Sequence, residues 1–400
     1  MNSRERVIAA IERKGPDRVP IDLGGTYAST IHATAYHNLL SLLNIDKPVR
    51  IADTMQLLVH IDEEIVNRFS SDVKLVWTLR DLLGVRRDKG FKDWITPTGT
   101  PVKISSDFNP IRKSDGSYIY KVGDAINRLP AEGFYFDTIK PAFDWVETVK
   151  DVEKIDIPIM DDEEKEWLRD NAERARKETD KFIVADILGG WCDIAGPMLG
   201  NQKFYMDIIS NKPMIHSLFE KLNEVWMKRI DVFVDTVGDN IDAVPVYNDL
   251  GCNMGGMYNP ETVREMIIPY IKKFYEHVRK VSNYYIIFHA CGSVYQYLPD
   301  LIDAGVDILN PVQVGAQYME PQRLKGEFGK ELTFWGGAVN PQDELSFGSP
   351  QVVRERAIQN MMIFKEGGGF IYTQPHNIQS NVPPENVVAL FETAKEFGNY

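Results

Sequence analysis

The sequence predicts an α/β fold in which one (β/α)8-type barrel domain accounts for residues 1–400. Short runs of β-branched and aromatic residues recur, glycine or proline follows each run, and helical stretches separate most of them. The runs are apolar at nearly every position, which is typical of parallel strands buried on both faces. Five strand and helix units in the last 160 residues favour a barrel over an open sheet. The predicted strands lie at 19–25, 182–190, 243–251, 284–293, 306–313, 332–339 and 369–376.

The predicted helices begin at residues that stabilise helix N-termini. We expect Ser3 to cap the first helix, with Glu5 in its first turn and apolar residues at helical spacing behind it. The later helices each begin at a proline or a small polar residue. The clearest of them lie at 260–280, 294–305, 349–368 and 383–398.

Composition excludes several classes of protein. The chain has 45 basic and 58 acidic residues, a formal net charge of −13, which disfavours general binding to nucleic acid or to anionic membranes. No apolar run of about 18 residues is present, and the charged start does not resemble a secretory signal. The three cysteines are too few for a disulfide framework. We expect a cytoplasmic protein with free thiols. The fold allows a homodimer, although no sequence feature points to one.

One region differs from the rest in composition. Residues from about 85 to 150 are rich in Lys, Asp, Gly, Pro and Tyr, with turn pairs at 98–99 and 115–116, and they predict an inserted hairpin region. An insertion of this kind could form a lid or a docking surface, or have no role. The usual glycine-rich loops for dinucleotides and nucleotide phosphates are missing from the sequence.

Polar residues stand where the predicted strands end, which is where barrel enzymes place their active sites. Asp22, Asp186, Asn248 and Asp249 are therefore candidate catalytic residues, with Asp249 the best placed. Each could instead hold loop or strand-end amides in place. The candidate substrate-binding residues are Asn310, Gln313 and Gln379.

A candidate metal site is formed by His289, Cys291 and His376. His289 and Cys291 are two residues apart at one strand end, so their side chains project to the same face. Zn²⁺ takes imidazole nitrogen and thiolate sulfur, and a catalytic zinc site needs three protein ligands and one open position. His376, at another strand end, could be the third ligand. The alternative is a buried histidine beside a small apolar cysteine.

The remaining cysteines and histidines are weaker candidates. Cys252 follows the Asn248–Asp249 strand end and could compete as a thiolate ligand, and Cys192 follows a glycine turn. The sequence leaves His60 undecided. A packed or surface role is more usual for histidines within helical stretches, which here are His37, His216 and His277.

Four segments of the sequence carry a family resemblance. They are YNDLGCNMGGMYNPETVREMIIPYIKKF, IIFHACGSVYQYLPDLIDAGVDILNPVQ, LTFWGGAVNPQDEL and GGGFIYTQPHNIQSNVPPENVVALFETA. These segments resemble the uroporphyrinogen decarboxylase-like superfamily, which includes the decarboxylase of haem biosynthesis and the corrinoid-linked methyltransferases. The resemblance covers nearly the whole chain and implies a distorted (β/α)8 TIM barrel with an N-terminal helical extension.

The resemblance separates two branches. Decarboxylase members carry an arginine-bearing segment of the form M-R-Q-A-G-R-Y, but the corresponding VPIDLGGTYAST here has no arginine to clamp a porphyrinogen carboxylate. Methyltransferase members are similar in having H-x-C at one strand end and a further cysteine near the last strand, which together bind zinc. In this chain His376 stands where that cysteine is expected. A His-Cys-His set carries less negative charge than a His-Cys-Cys set and would make the bound zinc ion a stronger Lewis acid. This favours methyl donors that bind through oxygen or nitrogen over a thiol.

The resemblance therefore implies a zinc-dependent methyltransferase that moves a methyl group between a small substrate and a corrinoid. No D-x-H-x-x-G cobalamin motif is present, so a separate corrinoid protein would supply the cofactor. Two alternatives stay open. One is a metal-free lyase that uses Asp22, Asp53 or Asp249, and the other is a non-catalytic barrel that binds a corrinoid or tetrapyrrole or scaffolds a partner complex.

Overall fold

The structure is a computed structural model that describes residues 1–187 and 189–400. Within these ranges no helix is both long and apolar enough to cross a lipid bilayer. The strands are β1 (Ile51–Asp53), β2 (Leu58–Val59), β3 (Val73–Val76), β4 (Phe91–Ile95), β5 (Pro101–Ser105), β6 (Ile111–Arg112), β7 (Tyr118–Val122), β8 (Ala125–Leu129), β9 (Asp137–Lys140), β10 (Phe182–Ala185), β11 (Ala243–Tyr247), β12 (Gly251–Cys252), β13 (Gly255–Gly256), β14 (Tyr285–His289), β15 (Ile308–Asn310), β16 (Thr333–Trp335) and β17 (Phe370–Ile371). The helices are α1 (Ser3–Ile11), α2 (Ala33–Leu42), α3 (Glu63–Arg68), α4 (Val149–Glu153), α5 (Asp162–Glu178), α6 (Cys192–Leu199), α7 (Asn201–Ser210), α8 (Lys212–Val237), α9 (Pro260–Met266), α10 (Ile268–Val281), α11 (Leu298–Asp303), α12 (Pro321–Phe328), α13 (Glu344–Phe347), α14 (Pro350–Lys365) and α15 (Pro384–Phe397).

A curled parallel sheet with the order β17-β16-β15-β14-β11-β10-β3 forms the centre of the molecule. Residues 20–22 lie between its two outermost strands and bond to residues that flank both. The backbone N of Asp22 donates to the carbonyl of Tyr372, 2.9 Å away, and the backbone N of Asp72 donates to the carbonyl of Ile21, 2.7 Å away. These bonds close the sheet as a distorted barrel, which confirms the predicted fold class.

Every second residue of the barrel strands points into the barrel, because side chains alternate between the faces of a strand. Val7 and Ile11 of α1 pack against these inward residues, so α1 plugs the N-terminal end of the barrel. The buried inward residues are Val73, Leu75, Phe182, Val184, Ala243, Ile287, Ile308, Trp335 and Ile371. The same alternation carries a polar layer into the C-terminal end, formed by Asp186, Tyr247, His289 and Asn310.

A buried carboxylate ties the barrel closure together. Asp72 accepts hydrogen bonds from Arg6 Nη1 at 2.7 Å, from Arg18 Nη1 at 2.7 Å and from the backbone N of Ile21 at 2.9 Å. The hydroxyl of Ser3 donates to the same carboxylate, at 2.9 Å. Asp72 is fully buried, so its charge is stable only with these partners. One side chain therefore joins α1, the start of β3 and residues 19–25, which we call the closing segment because they close the barrel.

The inserted region is built from antiparallel strands, as the turn pairs predict. Strands β4 and β5 form a hairpin, and β6 to β9 form a four-stranded sheet separate from the barrel sheet. Trp94, Phe108 and Tyr120 pack their rings together beneath these strands, with Phe108 and Tyr120 stacked at 5.3 Å. The backbone N of Phe136 donates to the carbonyl of Met55, 2.8 Å away, and joins the insertion to the turn between β1 and β2.

Two helix predictions are wrong, and the strand expected over 19–25 is reduced to an isolated bridge at Ile21. Asn2, and not Ser3, caps α1: Asn2 Oδ1 accepts from the backbone N of Glu5 and the Glu5 carboxylate accepts from the backbone N of Asn2, a complete capping box. Ser3 is the first helical residue, and its hydroxyl binds Asp72 instead. The helix expected over 260–280 is divided into α9 and α10, since Pro269 has no backbone N–H to continue the hydrogen-bond ladder.

The barrel closure makes a test of stability. We expect Asp72→Asn to lower the free energy of unfolding by about 3–5 kcal/mol, because it leaves Arg6 and Arg18 without their buried anion. Asp17 also pairs with Arg6, but its side chain is 44% exposed, so Asp17→Asn should cost less than about 1 kcal/mol. Urea unfolding followed by circular dichroism measures both. Equal losses in the two variants would contradict this account.

Candidate metal and active site

The side chains of His289, Cys291 and His376 converge at the C-terminal end of the barrel. One ligand atom from each lies within 4.8 Å of the others, and Cys291 Sγ is 3.4 Å from His289 Nε2. The two imidazole centroids are 5.8 Å apart. Among the described residues, no other group of three or more His, Cys, Asp or Glu side chains is spaced to hold a metal ion. The structure thus brings together the three residues that the sequence predicts as metal ligands.

The end of β14 and the turn after it place the thiol beside the imidazole. His289 is the last residue of the strand, and the chain turns at Gly292 with a φ of +75°. A Cβ at Gly292 would overlap the backbone of Gly251 and Cys252, so only glycine fits there. The backbone N of Cys291 donates to Asp249 Oδ1 at 2.6 Å and anchors the turn.

An asparagine side chain lies within hydrogen-bond distance of the Nδ1 atom of each candidate histidine ligand. His289 Nδ1 is 2.8 Å from Asn310 Oδ1, and His376 Nδ1 is 2.7 Å from Asn377 Oδ1. Because an amide oxygen only accepts, a proton on each Nδ1 would satisfy these contacts and would leave a lone pair on each Nε2. That lone pair is the one a metal would use.

Burial holds these groups in their neutral forms. It lowers the pKa of His289 to about 4, although the Asp249 carboxylate opposes the effect, and it also lowers the pKa of His376. Burial raises the pKa of the Cys291 thiol well above its ordinary value, and Asp249 raises it further. The histidines are therefore ready to bind a metal at neutral pH, whereas the thiol would have to lose a proton.

The donor set fits a zinc ion. Two imidazole nitrogens and one sulfur are donors that Zn²⁺ accepts, and tetrahedral bonds of about 2.0–2.3 Å would hold them about 3.5 Å apart. Cys291 Sγ already lies 3.4 Å from His289 Nε2, and all three ligand atoms lie within 4.8 Å of one another. Three protein ligands leave one position for a substrate atom, as in catalytic zinc sites.

Two aspartates lie beside this cluster. Asp249 Oδ1 is 3.9 Å from His289 Nε2, close to the cluster although outside the set of three. The backbone N of Asp249 donates to the side chain of a second acid, Asp193 Oδ1, at 2.9 Å. Burial and the neighbouring Asp249 carboxylate raise the pKa of Asp193 well above its ordinary value. Asp193 was not predicted as a site residue, because it lies in the first turn of α6 and does not directly follow a strand.

Asp186 lies in the inward polar layer of the barrel. Tyr247 donates its hydroxyl hydrogen to Asp186 Oδ2 at 2.6 Å, and its ring lies 5.0 Å from the His289 ring. Burial and the Asp186 charge raise the pKa of Tyr247 well above its ordinary value, so the phenol stays protonated. Tyr247 thereby connects Asp186 to the cluster of His289, Cys291 and His376. The sequence offered no signal for it, because it reads as one more aromatic strand residue.

Asp22 is buried and strongly hydrogen-bonded. It accepts from the Trp335 indole at 2.8 Å, from the Ser29 hydroxyl at 2.9 Å and from the backbone N of Gly25 at 2.8 Å. Burial outweighs these bonds and raises the pKa of Asp22 to about 6. These contacts hold the turn that follows the closing segment, which is the structural use that the sequence analysis left open.

The other predicted site residues hold the loops of the barrel mouth. Asn248 Oδ1 accepts from the backbone N of Cys192, at 2.9 Å. Gln313 Oε1 accepts from the backbone N of Gly292, at 2.9 Å, and so supports the turn beside Cys291. Gln379 donates to the backbone carbonyl of Asn377, at 3.0 Å. Asn310 bonds to His289, as described above.

The competing thiols lie outside the cluster of three. Cys192 is buried at the start of α6, and Cys252 is exposed in the β12–β13 hairpin. Of the other histidines, His277 lies on α10, and its Nε2 is 2.7 Å from Asp231 Oδ1 on α8. Burial lowers the pKa of His60, mainly by keeping the ring from water, to about 3. The structure therefore separates one coherent donor set from the isolated candidates.

Comparison with known proteins identifies the family of this chain. Residues 134–397 match the family described as uroporphyrinogen decarboxylase (URO-D). The uroporphyrinogen decarboxylase of Trichodesmium erythraeum (strain IMS101) is 26% identical over 324 residues, which cover 77% of this chain and 85% of that protein. The uroporphyrinogen decarboxylase of Crocosphaera subtropica (strain ATCC 51142 / BH68) is 24% identical over 302 residues, which cover 73% of this chain and 81% of that protein. A solved methyltransferase from Methanosarcina mazei shares the fold with a TM-score of 0.63 at 16% identity, covering 99% of both chains. The chain belongs to the uroporphyrinogen decarboxylase family.

Proposed function

We propose that this protein is a zinc-dependent methyltransferase that moves a methyl group between a small substrate and the corrinoid of a separate protein. The observation that carries the proposal is the convergence of the His289 and His376 imidazoles and the Cys291 sulfur at the C-terminal end of the barrel. The shared fold of the Methanosarcina mazei methyltransferase supports it. The family match by itself is compatible with more than one chemistry.

The donor set favours a particular class of substrate. His289, Cys291 and His376 would hold the zinc ion and contribute a single thiolate charge. Zinc bound there would supply a Lewis acid to the heteroatom that loses or gains the methyl group. Because a second thiolate is missing from the set, the site favours an O- or N-methylated compound over a thiol substrate.

Asp249 is placed to manage the proton of the reaction. In the demethylation of a methyl ether, the carbon–oxygen bond would break with its electron pair kept on the oxygen, and the corrinoid of the partner protein would supply the acceptor for the methyl group. That oxygen then needs one proton. Asp193, whose pKa is raised, would donate it, and its neighbour Asp249, 3.9 Å from His289 Nε2, would accept a proton in the reverse direction.

Exposed apolar side chains support a protein partner at this end of the barrel. Several of them lie in segments that follow β10, β11 and β16, after the C-terminal ends of these strands. A partner protein that docks there would cover exposed apolar side chains. They include Met206, Ile209, Met254 and Phe347, which are 62%, 66%, 83% and 76% exposed. A corrinoid protein would have to approach from this side to reach the metal.

A second candidate is a metal-free carboxy-lyase that acts on a small acid. The family description and the two curated relatives favour it, since all three are uroporphyrinogen decarboxylases. Asp22 would be its natural acid, because burial holds the pKa of Asp22 at about 6. The absence of arginine in the 19–30 segment argues against a porphyrinogen as the substrate.

Metal content tests the ligand set. We expect the purified protein to bind about one zinc ion per chain. His289→Ala, Cys291→Ser and His376→Ala should each weaken zinc binding by more than about 100-fold. Loss of a residue that only hydrogen-bonds to a ligand typically costs about 10–100-fold. The matched controls Cys252→Ser and His277→Ala should bind like the wild type. Elemental analysis and competition with a chelator measure this, and a wild-type protein without metal would refute the zinc site.

The pH dependence of zinc binding tests which group loses a proton. The pKa of His289 is about 4 and that of His376 is lowered, so both are already neutral above pH 6.5. The pKa of the Cys291 thiol is raised, so binding must release its proton. We expect zinc affinity to rise about tenfold per pH unit between about pH 6.5 and 8. In Cys291→Ser this slope should vanish, and a slope that persists would assign the proton elsewhere.

Methyl transfer itself is tested under anaerobic conditions. We expect methylation of cobalt(I) in a corrinoid, followed by its absorbance, from methyl ethers or methylamines but not from thioethers. Asp249→Asn should lower kcat by about 100-fold while leaving zinc bound. Carbon dioxide release from a small acid by metal-stripped protein would favour the lyase instead. A corrinoid that binds without turnover would leave only a binding role.

A further inference from the structure

Each histidine of the cluster could carry its proton on either ring nitrogen, and only one choice leaves Nε2 free. The proton's position follows from the hydrogen-bond network around the ring. A backbone carbonyl can only accept a hydrogen bond, so a network that ends on one has a fixed direction. Both histidines here belong to networks that end in this way.

The first network starts at Trp335. The amide nitrogen of Asn310 donates to the backbone carbonyl of Trp335, at 3.2 Å. The other end of the amide, Asn310 Oδ1, must then face His289 Nδ1, 2.8 Å away. Because this oxygen accepts, His289 Nδ1 carries the proton. Asn310 is 2% exposed, so water does not compete for these bonds.

The second network starts at the backbone carbonyl of Asn377. Gln379 Nε2 donates to that carbonyl at 3.0 Å and also to Asn377 Oδ1. Asn377 Nδ2 donates to Gln56 Oε1 at 2.8 Å, from the turn between β1 and β2. Asn377 Oδ1 is thereby the acceptor for His376 Nδ1, and His376 Nε2 keeps its lone pair.

We propose that Asn310 and Asn377 are positioning residues that fix the proton of both histidines on Nδ1 before any metal binds. Gln379 acts through Asn377 in the same way. This inference rests on the zinc part of the proposed function. Asn310 and Gln379, which the sequence suggests as substrate-binding residues, would thus orient the candidate metal ligands His289 and His376.

The chemistry of the two acceptors also bears on the substrate. Carboxylates are common partners of metal-bound histidines, and they raise the basicity of the ring. Both acceptors here are neutral amides. The rings would therefore donate less charge to a bound zinc ion, which keeps the ion more electrophilic. This property favours a substrate that leaves as an oxygen anion, such as a methyl ether.

The position of the imidazole protons can be measured without metal. We expect nitrogen–proton correlation spectra of the metal-free protein to show His289 and His376 as Nδ1–H tautomers. Asn310→Ala should give a mixture of tautomers at His289 only, and Asn377→Ala a mixture at His376 only. The exposed asparagine variant Asn109→Ala should change neither. Unchanged tautomers in both alanine variants would overturn the proposal.

Zinc affinity separates positioning from a general loss of structure. The alanine variants should bind zinc about 10–100-fold more weakly. Asn377→Asp keeps an acceptor for His376 and adds charge, and the Gln56 amide can rotate to donate to it. This variant should bind zinc at least as tightly as the wild type but turn over more slowly. An Asn377→Asp variant that binds zinc as weakly as Asn377→Ala would refute the role of the acceptor.

Failure of this inference can be told from failure of the proposed function. A wild-type protein that binds no zinc but shows both Nδ1–H tautomers refutes the zinc site and leaves the positioning result intact. A wild-type protein that binds zinc, with alanine variants that match it in tautomer and affinity, refutes the positioning role alone.

Discussion

Closure of the barrel between β17 and β3 is the constraint on which the site depends. His376 follows β17 and His289 ends β14, so the two rings face each other only while the sheet stays curled. Few backbone bonds make the closure, and the ion pairs of Asp72 reinforce it from the opposite end of the barrel. Geometry at the catalytic end is thus maintained by charges that take no part in chemistry.

The barrel could be predicted from sequence because its signals are local. Buried parallel strands are apolar throughout, and their turns require glycine or proline, so most strands were placed correctly. The closing segment was harder. Its sequence, VPIDLGG, reads as a full strand, yet in the structure it pairs through an isolated bridge at Ile21. Pairing of this kind depends on the twist of distant strands, which no local pattern records.

The candidate site divides in the same way. His289 and Cys291 could be paired from their spacing at a strand end, and His376 from its position after the last strand. Asn377 and Gln56, which hold the His376 ring, could not be predicted, because they lie 321 residues apart and share no motif. Sequence patterns identify groups that bind ligands, whereas the amides that orient those groups become visible only through contacts.

The two candidate histidine ligands are also separated within the barrel wall, since β15 and β16 lie between β14 and β17. A metal ion shared by these rings would act as a brace across one side of the barrel mouth and would close a long loop of chain. Its binding energy would add to the cooperativity of folding as well as to catalysis. Metal-free protein would then open first in its last strands and helices, and limited proteolysis there would report on metal supply in the cell.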